Sequence, residues 1–261
     1  MSVTRRSFLA ATPLVLAPAV WPSAPLPQST SAPSSFPTQP PELVREMVGA
    51  SHANLSRVKE LLSIHPTLAK ASWDWGFGDW EDALGAASHV GNREIAILLL
   101  ANGARPTIFS AAMLGQLDAV KAFIAAAPGI EATHGPHSIT LLRHAMAGGP
   151  AAQPVVEYLK TLPGADRRPE TRPITPEQMA ALAGDYVYGT GADERIVIAA
   201  TASFVTFLRA NRTARNLVHL GDRTFFPVGA PQVRIRFRES PAGLVLSVFD
   251  PGLVVEATRA R

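Results

Sequence analysis

The stretch that decides the fold of the central region is residues 83–104, ALGAASHVGNREIAILLLANGA. A small, apolar segment comes first, which lets neighbouring elements stack closely, and Gly91 then permits a left-handed turn. Residues 95–100 follow as a strongly apolar run, and Gly103 with Ala104 ends it. The stretch therefore predicts two helices, one small and one buried, joined by a tight turn.

The same pattern recurs in residues 50–62, where Ala53 replaces the turn glycine, in residues 111–124 and, more weakly, in residues 140–159. These copies resemble ankyrin repeats. They lack the usual Thr-Pro-Leu-His opening, and Gly91 and Gly115 lie closer together than the period of ~33 residues. The resemblance implies an ankyrin-like helical repeat array over residues 42–165, since four repeats exceed the roughly three that a continuous core needs. Another helical solenoid or a generic helical bundle is the alternative.

The N-terminal region has the features of an export signal rather than of a folded domain. Residues 4–10, TRRSFLA, resemble the twin-arginine export motif, and the apolar run after them is shorter than the ~20 residues of a membrane-spanning helix. Ala17-Pro18-Ala19 supplies a small-x-small cleavage pattern. We predict a twin-arginine signal peptide over residues 1–19 and a Pro/Ser-rich linker over residues 20–41. The protein is expected in the periplasm or otherwise outside the cytoplasm, without a membrane span after signal removal.

The composition of the chain changes at residues 166–174, which form a charged connector that contains prolines. Thr175 and Pro176 predict the start of a short helix, and eight short runs of strand composition follow, most of them separated by turn residues. In residues 233–238, VRIRFR, strict alternation predicts that Val233, Ile235 and Phe237 face a core. We expect an antiparallel β meander over residues 175–261, curved into an open barrel.

Residues 182–188, LAGDYVY, and the later Phe225-Phe226 resemble the small lipocalin-like domain that is appended to many proteins related to serine β-lactamases. In those proteins the nucleophile lies in a separate domain. The resemblance implies a β domain that here stands without that enzyme. The expected fold class is therefore α + β in separate domains.

Composition limits the function further. The apolar fraction of 47% and the charged fraction of 17% are typical of a packed globular protein. The net charge is only +3, and Arg5 and Arg6 lie in the predicted signal, so we expect no nucleic-acid partner. The absence of cysteine excludes disulfides, thiolate metal sites and a cysteine nucleophile.

The most unusual segment is residues 73–81, WDWGFGDWE, which holds three of the four tryptophans. It lies where a finger would separate the first two repeats. Aromatic faces with interleaved carboxylates suit recognition of a cationic or sugar-like group, or of a partner's basic residues. The alternative is structural: the tryptophans fill a gap, and Asp79 or Glu81 caps the next helix. The candidate ligand- or partner-binding residues here are Trp73, Asp74, Trp75, Phe77, Asp79, Trp80 and Glu81.

A second unusual segment, residues 134–140, HGPHSIT, precedes the last repeat and adds His134 and His137 to the candidate binding residues. Fingers project from one side of a repeat array, so the two segments are candidates for one surface. His134, His137, Asp74 and Asp79 have metal-ligating atoms, but loop histidines more often have ordinary polar roles, so we expect no metal and no cofactor. His52, His65, His89 and His144 are expected to be structural.

These features predict an exported ankyrin-repeat binding protein that recognises a protein partner or a small ligand in the cell envelope. We expect no catalytic residue. The alternative is a hydrolase-like enzyme that uses the aromatic, acidic and histidine fingers, although no Gly-x-Ser-x-Gly elbow and no His-Glu-x-x-His helix occurs.

Overall fold

The computed structural model describes residues 34–210, 212–241 and 243–260. The predicted signal peptide and most of the predicted linker lie outside the described residues. The α-helices of the described part are α1 (Pro41–Ala50), α2 (Leu55–Ile64), α3 (Ala83–His89), α4 (Arg93–Ala101), α5 (Ile108–Met113), α6 (Leu117–Ala126), α7 (Leu141–Ala147), α8 (Gln153–Lys160) and α9 (Pro176–Leu182).

The first eight helices form four successive pairs, which we call the helical part. The first helix of each pair contacts the first helix of the next, in the order α1, α3, α5 and α7. Side-chain caps start several of these helices: Asn54 accepts a hydrogen bond from the amide of Arg57, and Asn92 from the amide of Ile95. The predicted helix pairs are therefore present.

The turn between α3 and α4 requires glycine at position 91. Gly91 has a φ of 77°, and a Cβ atom there would collide with the backbone carbonyl of Ala147 in α7. Glycine thus serves both the left-handed turn and the close approach of the neighbouring helix pair.

A two-stranded antiparallel hairpin interrupts the helices between α2 and α3. It consists of β1 (Ser72–Asp74) and β2 (Trp80–Asp82), with Trp73 opposite Glu81. We call residues 72–82 the hairpin finger. It occupies the unusual tryptophan-rich segment of the sequence.

The remaining strands form a closed antiparallel barrel: β3 (Gly184–Val187), β4 (Arg195–Ala200), β5 (Val205–Arg209), β6 (Arg215–Gly221), β7 (Thr224–Pro227), β8 (Arg234–Ser240), β9 (Gly243–Asp250) and β10 (Leu253–Arg259). The prediction of an open barrel was wrong. The last strand returns to the first, with Thr258 opposite Val187 and Arg259 opposite Tyr186, and this pairing closes the sheet. Each barrel strand that the structure describes therefore has a neighbour on both sides.

The barrel core follows the predicted alternation. Val233, Ile235 and Phe237 are buried, and they pack with other inward-facing side chains such as Tyr186 and Phe225. The helical part has its own apolar clusters, one beneath the first helix pairs and one beneath the last. None of the helices that the structure describes has the length and apolar character that crossing a bilayer requires.

Candidate metal centre

Four side chains from separate elements converge on one point in the helical part. His52 follows α1, Glu81 lies in β2, His89 ends α3, and His137 lies in the finger before α7. One ligating atom from each lies within 4.8 Å of every other. We call these four residues the ligand cluster.

Four of the separations within the cluster are close to those between neighbouring ligands of a tetrahedral metal ion. Nε2 of His89 is 2.9 Å from Oε1 of Glu81 and 3.1 Å from Nε2 of His52. Nε2 of His137 is 3.3 Å from Oε1 of Glu81, and Nε2 of His52 is 3.6 Å from Oε2. Zn²⁺ bonds of about 2.0–2.1 Å at tetrahedral angles would place neighbouring ligand atoms ~3.3 Å apart.

The outer nitrogens of two histidines face acceptors. Nδ1 of His137 lies 2.7 Å from Oδ2 of Asp79, and Nδ1 of His52 lies 3.1 Å from the carbonyl oxygen of Gly49. We infer that both Nδ1 atoms carry the proton, because only an N–H can donate to these oxygens. In a neutral ring the Nε2 lone pair then points into the cluster. Carboxylate–histidine pairs of this kind orient the ligands of many metal sites.

Glu81 is fully buried, and its charge is nevertheless favoured. Burial alone would raise its pKa, but hydrogen bonds from His137 and His89 outweigh that effect and lower the pKa of Glu81 to about 2. The indole Nε1–H of Trp75 also donates to Oε2 of Glu81 across 2.8 Å. The carboxylate is therefore ionised and held in place at neutral pH.

His137 is the complementary cation when no metal is bound. Burial would lower its pKa, but hydrogen bonds to Asp79 and Glu81 raise the pKa of His137 to about 9. Burial likewise opposes ionisation of Asp79, yet its hydrogen bonds with His137 lower the pKa of Asp79 below its ordinary value. The proton on His137 thus compensates two buried carboxylates.

The backbone around His137 is strained and is held by Asp79. His137 and Ser138 have φ angles of 60° and 59°, in the left-handed region that non-glycine residues avoid. The amide N–H of His137 donates to Oδ1 of Asp79 across 2.8 Å. One carboxylate therefore fixes both the backbone and the ring of His137, and such strain is typical of functional sites.

Asp79 also joins the cluster to the barrel, because its Oδ2 binds the guanidinium of Arg215 in β6. At the tip of the same finger, the rings of Phe77 and Phe207 lie 5.3 Å apart, and Nε2 of Gln232 donates to the carbonyl of Phe77. The hairpin finger is thus an interface between the helical part and the barrel.

The structure separates the candidate residues into groups. Asp79, Glu81 and His137 meet, and the two fingers do share one place. His134 instead bonds the carbonyl of Arg167, and Asp74 accepts from the amide of Gly76, so neither belongs to the cluster. Trp73 and Trp75 are half-buried against the helical core, whereas Trp80 is 62% exposed.

One structural expectation needs correction. The acid that caps α3 is Asp82, whose Oδ1 accepts from the amide of Gly85, rather than Asp79 or Glu81. His52 and His89, which were expected to be structural, also lie in the ligand cluster, and His52 bonds the neighbouring backbone carbonyl of Gly49. A repeated feature of the sequence could have found them, since each follows a serine, Ser51 or Ser88, at the end of the first helix of its pair.

His144 has a different environment from the ligand cluster. Its Nδ1 bonds the carbonyl of Thr140, and burial lowers the pKa of His144 to about 4. It is therefore neutral at physiological pH and packs beside His89 and Phe109.

The sequence Ser56-Arg57-Val58-Lys59 has the spacing of a serine nucleophile motif, but it lies on the surface of α2. Ser56 and Lys59 are exposed, and Nζ of Lys59 lies 3.7 Å from Oε1 of Glu94 in α4. Among the residues that the structure describes, none is placed to activate the hydroxyl of Ser56.

In comparisons with known proteins, no family model, no curated protein and no solved structure matches the chain.

Proposed function

We propose that this protein binds one divalent transition-metal ion through Nε2 of His52, His89 and His137 and the carboxylate of Glu81. The observation that carries the proposal is the convergence of these four groups: one ligating atom from each lies within 4.8 Å of every other. The four residues come from four different elements, so the ion would tie the first two helix pairs and both fingers together.

A bound metal ion would satisfy the cluster without the extra proton on His137. A neutral imidazole has one N–H, and the Nδ1 atoms of His52 and His137 face acceptors that need it. In the metal-free protein an extra proton on His137 pairs its Nε2 with Glu81, whereas the Nε2 lone pair of His52 faces the ring of His89. An ion supplies the positive charge at the point where these lone pairs converge.

The donor set also limits which ion binds. Three imidazoles and one carboxylate suit Zn²⁺, Ni²⁺, Cu²⁺ or Fe²⁺, whereas Mg²⁺ and Ca²⁺ prefer oxygen ligands throughout. We propose Zn²⁺ as the best fit, because it favours four-coordinate sites built from imidazole nitrogens and a carboxylate oxygen.

A shell of four protein ligands supports binding rather than catalysis. Structural zinc sites have four protein ligands, whereas catalytic zinc sites usually have three and keep one position open for water or substrate. We therefore propose that the ion stabilises an exported binding protein, with an ankyrin-like array and a lipocalin-like barrel. Export by the twin-arginine route, which the N-terminal motif suggests, would carry the chain already folded with its ion.

The test is a zinc titration of the purified chain after treatment with a chelator. We expect one Zn²⁺ per chain, and we expect Co²⁺ to give the intense visible absorption of a tetrahedral site. His137→Ala should weaken zinc binding by at least ~100-fold, more than the ~10–100-fold loss of an outer-shell residue. His134→Ala, in the same finger, is the matched control and should bind like wild type.

The proposal fails if the wild-type chain takes up no zinc, or if His137→Ala and His89→Ala bind as tightly as His134→Ala. A five-coordinate Co²⁺ spectrum together with hydrolytic turnover would favour the enzyme alternative. Export is tested separately: replacing Arg5 and Arg6 by lysine should abolish accumulation outside the cytoplasm.

A further inference from the structure

A cavity of about 240 Å³ opens at the mouth of the barrel beside the hairpin finger. Ile196, Phe207 and Val248 line it from the inside of the barrel, and Phe77 reaches it from the hairpin finger. Ligand pockets for drug-sized molecules span about 300–1,000 Å³, so this cavity suits a smaller molecule. We call it the barrel-mouth pocket.

Arg215 lies in the wall of this pocket and is only 8% exposed. It is paired with Phe207 in the register of β5 and β6, and it faces the barrel interior because Leu217, two residues later, belongs to the core. Its terminal nitrogen binds Asp79 and the carbonyl of Val228. Its Nε–H, although buried, has no hydrogen-bond partner among the described residues.

An unpaired buried donor is unfavourable, and native structures contain few of them. Arg215 lines the pocket but its Nε atom is itself covered, so a rotation of the side chain toward the pocket would bring Nε–H to an acceptor atom of a bound molecule. Because the donor belongs to a guanidinium, an anionic oxygen would be the preferred acceptor.

The other polar groups at the pocket also favour a negatively charged ligand. Arg209 and Arg212 line the pocket with Arg215, and only one carboxylate, Asp250, lies among the lining residues. The guanidinium of Arg209 lies over the ring of Tyr188, at 5.6 Å from its centroid. Cationic groups therefore surround an otherwise apolar cavity.

We propose that the barrel-mouth pocket binds a small organic carboxylate. The carboxylate accepts a hydrogen bond from Nε of Arg215, with Arg209 and Arg212 nearby, and the apolar body of the molecule packs against Phe77, Phe207 and Val248. This ligand site goes beyond the metal proposal and does not depend on it, because its donors and its walls lie outside the ligand cluster.

The experiment compares three probes of equal chain length with the full chain by titration calorimetry in the presence of EDTA. We expect octanoate to bind once per chain, octanol to bind at least ~10-fold more weakly, and octylamine to give no detectable binding. Chelation keeps the result separate from the metal proposal, which is tested by zinc uptake alone.

Two variants identify the donor. Arg215→Lys retains a charge for Asp79 but lacks Nε–H, and it should weaken octanoate binding by ~10-fold or more while octanol is unaffected. Arg209→Gln, at the exposed rim, should weaken octanoate several-fold and keeps the test valid if Arg215→Lys does not fold. The matched controls are Arg223→Lys, which pairs with Glu239, and Arg195→Gln, which pairs with Asp185.

Equal affinities for octanoate and octanol would overturn the proposal, and so would the absence of octanoate binding. Octanoate binding that neither Arg215→Lys nor Arg209→Gln weakens, in folded protein, would also overturn it, because the carboxylate would then bind elsewhere.

Discussion

His137 and Asp79 are 58 residues apart in sequence and make two hydrogen bonds, one from the imidazole Nδ1 and one from the backbone amide. The same carboxylate binds Arg215 of the barrel. Asp79 is therefore the connection between the proposed metal ligand His137 and the second part of the molecule, and its removal should affect both.

We predict that Asp79→Asn weakens zinc binding by ~10–100-fold, because outer-shell carboxylates orient and polarise the histidines that they bind. A competition titration with a chromophoric zinc chelator measures this change. Asp74→Asn is the control, since Asp74 lies in the same finger and, among the described residues, its side chain bonds only the amide of Gly76. Equal zinc affinity in the two variants would contradict the role of Asp79.

Zinc should also stabilise the folded chain. A ligand that binds only the native state adds about 2.7 kcal/mol to the free energy of unfolding at 100 times its dissociation constant. We expect zinc to raise Tm and EDTA to reverse the rise, as followed by circular dichroism. Glu81→Gln should show no rise, whereas Glu60→Gln, on the exposed surface of α2, should behave like wild type. A zinc-dependent rise that Glu81→Gln retains would place the ion elsewhere.

Much of the fold could be predicted because local signals decide it. Gly91 marks a turn that only glycine fits, and the alternation at Val233, Ile235 and Phe237 fixes which side of a strand is buried. Closure of the barrel could not be predicted, because it depends on the pairing of Thr258 with Val187, which is a long-range contact without a local signature.

The site was predicted only in part for the same reason. Asp79, Glu81 and His137 were candidates because they lie in compositionally unusual fingers. His52 and His89 were not, because a histidine at the end of a repeat helix usually has a structural role. Stacking of the helix pairs brings their Nε2 atoms to 3.1 Å from each other, and no spacing rule along the chain encodes that distance.

In the metal-free protein, the raised pKa of His137 should make the free energy of unfolding depend on pH. Its pKa of about 9 in the folded state exceeds the ordinary 6.5, so the stabilisation from its protonated form is complete below pH ~6.5 and is lost as pH rises through about 9. Each pKa unit corresponds to about 1.4 kcal/mol, so the loss is of the order of 3 kcal/mol.

Urea unfolding in EDTA between pH 6 and pH ~10 measures this loss. His137→Gln should have a nearly flat profile over that range, and so should the wild-type protein with saturating zinc, because bound His137 carries no titrating proton. A steep alkaline loss that persists in His137→Gln would assign it to another group. Below pH ~6.5 stability should fall, because protonation of His144, whose pKa is about 4, is unfavourable in the folded state.

The two tryptophans Trp75 and Trp80 should behave differently although they lie in the same finger. Trp75→Phe removes the N–H that donates to Glu81, so zinc affinity should fall by ~10-fold or more. Trp80→Phe changes a side chain that is 62% exposed, and zinc affinity should stay within ~2-fold of wild type. If the two variants lose zinc affinity equally, the indole N–H of Trp75 has no role in holding the carboxylate.

The last prediction joins the two proposed sites. Arg215 lines the barrel-mouth pocket and binds Asp79, which in turn binds His137, so a continuous chain of charged hydrogen bonds links the pocket to the ligand cluster. When a divalent ion replaces the proton on His137, the cluster gains one positive charge. That charge should favour a carboxylate at Arg215, and a coupling of about 1 kcal/mol would correspond to ~5-fold tighter octanoate binding.

Reciprocity makes the prediction strict, because octanoate must then raise zinc affinity by the same factor. Calorimetric titrations of octanoate with saturating zinc and with EDTA, and of zinc with and without octanoate, measure both sides. Asp79→Asn, studied at zinc concentrations that saturate it, should reduce the factor toward one, since the carboxylate between His137 and Arg215 is gone. Octanoate affinity that is unchanged by zinc in the wild-type chain would show that the pocket and the ligand cluster act independently.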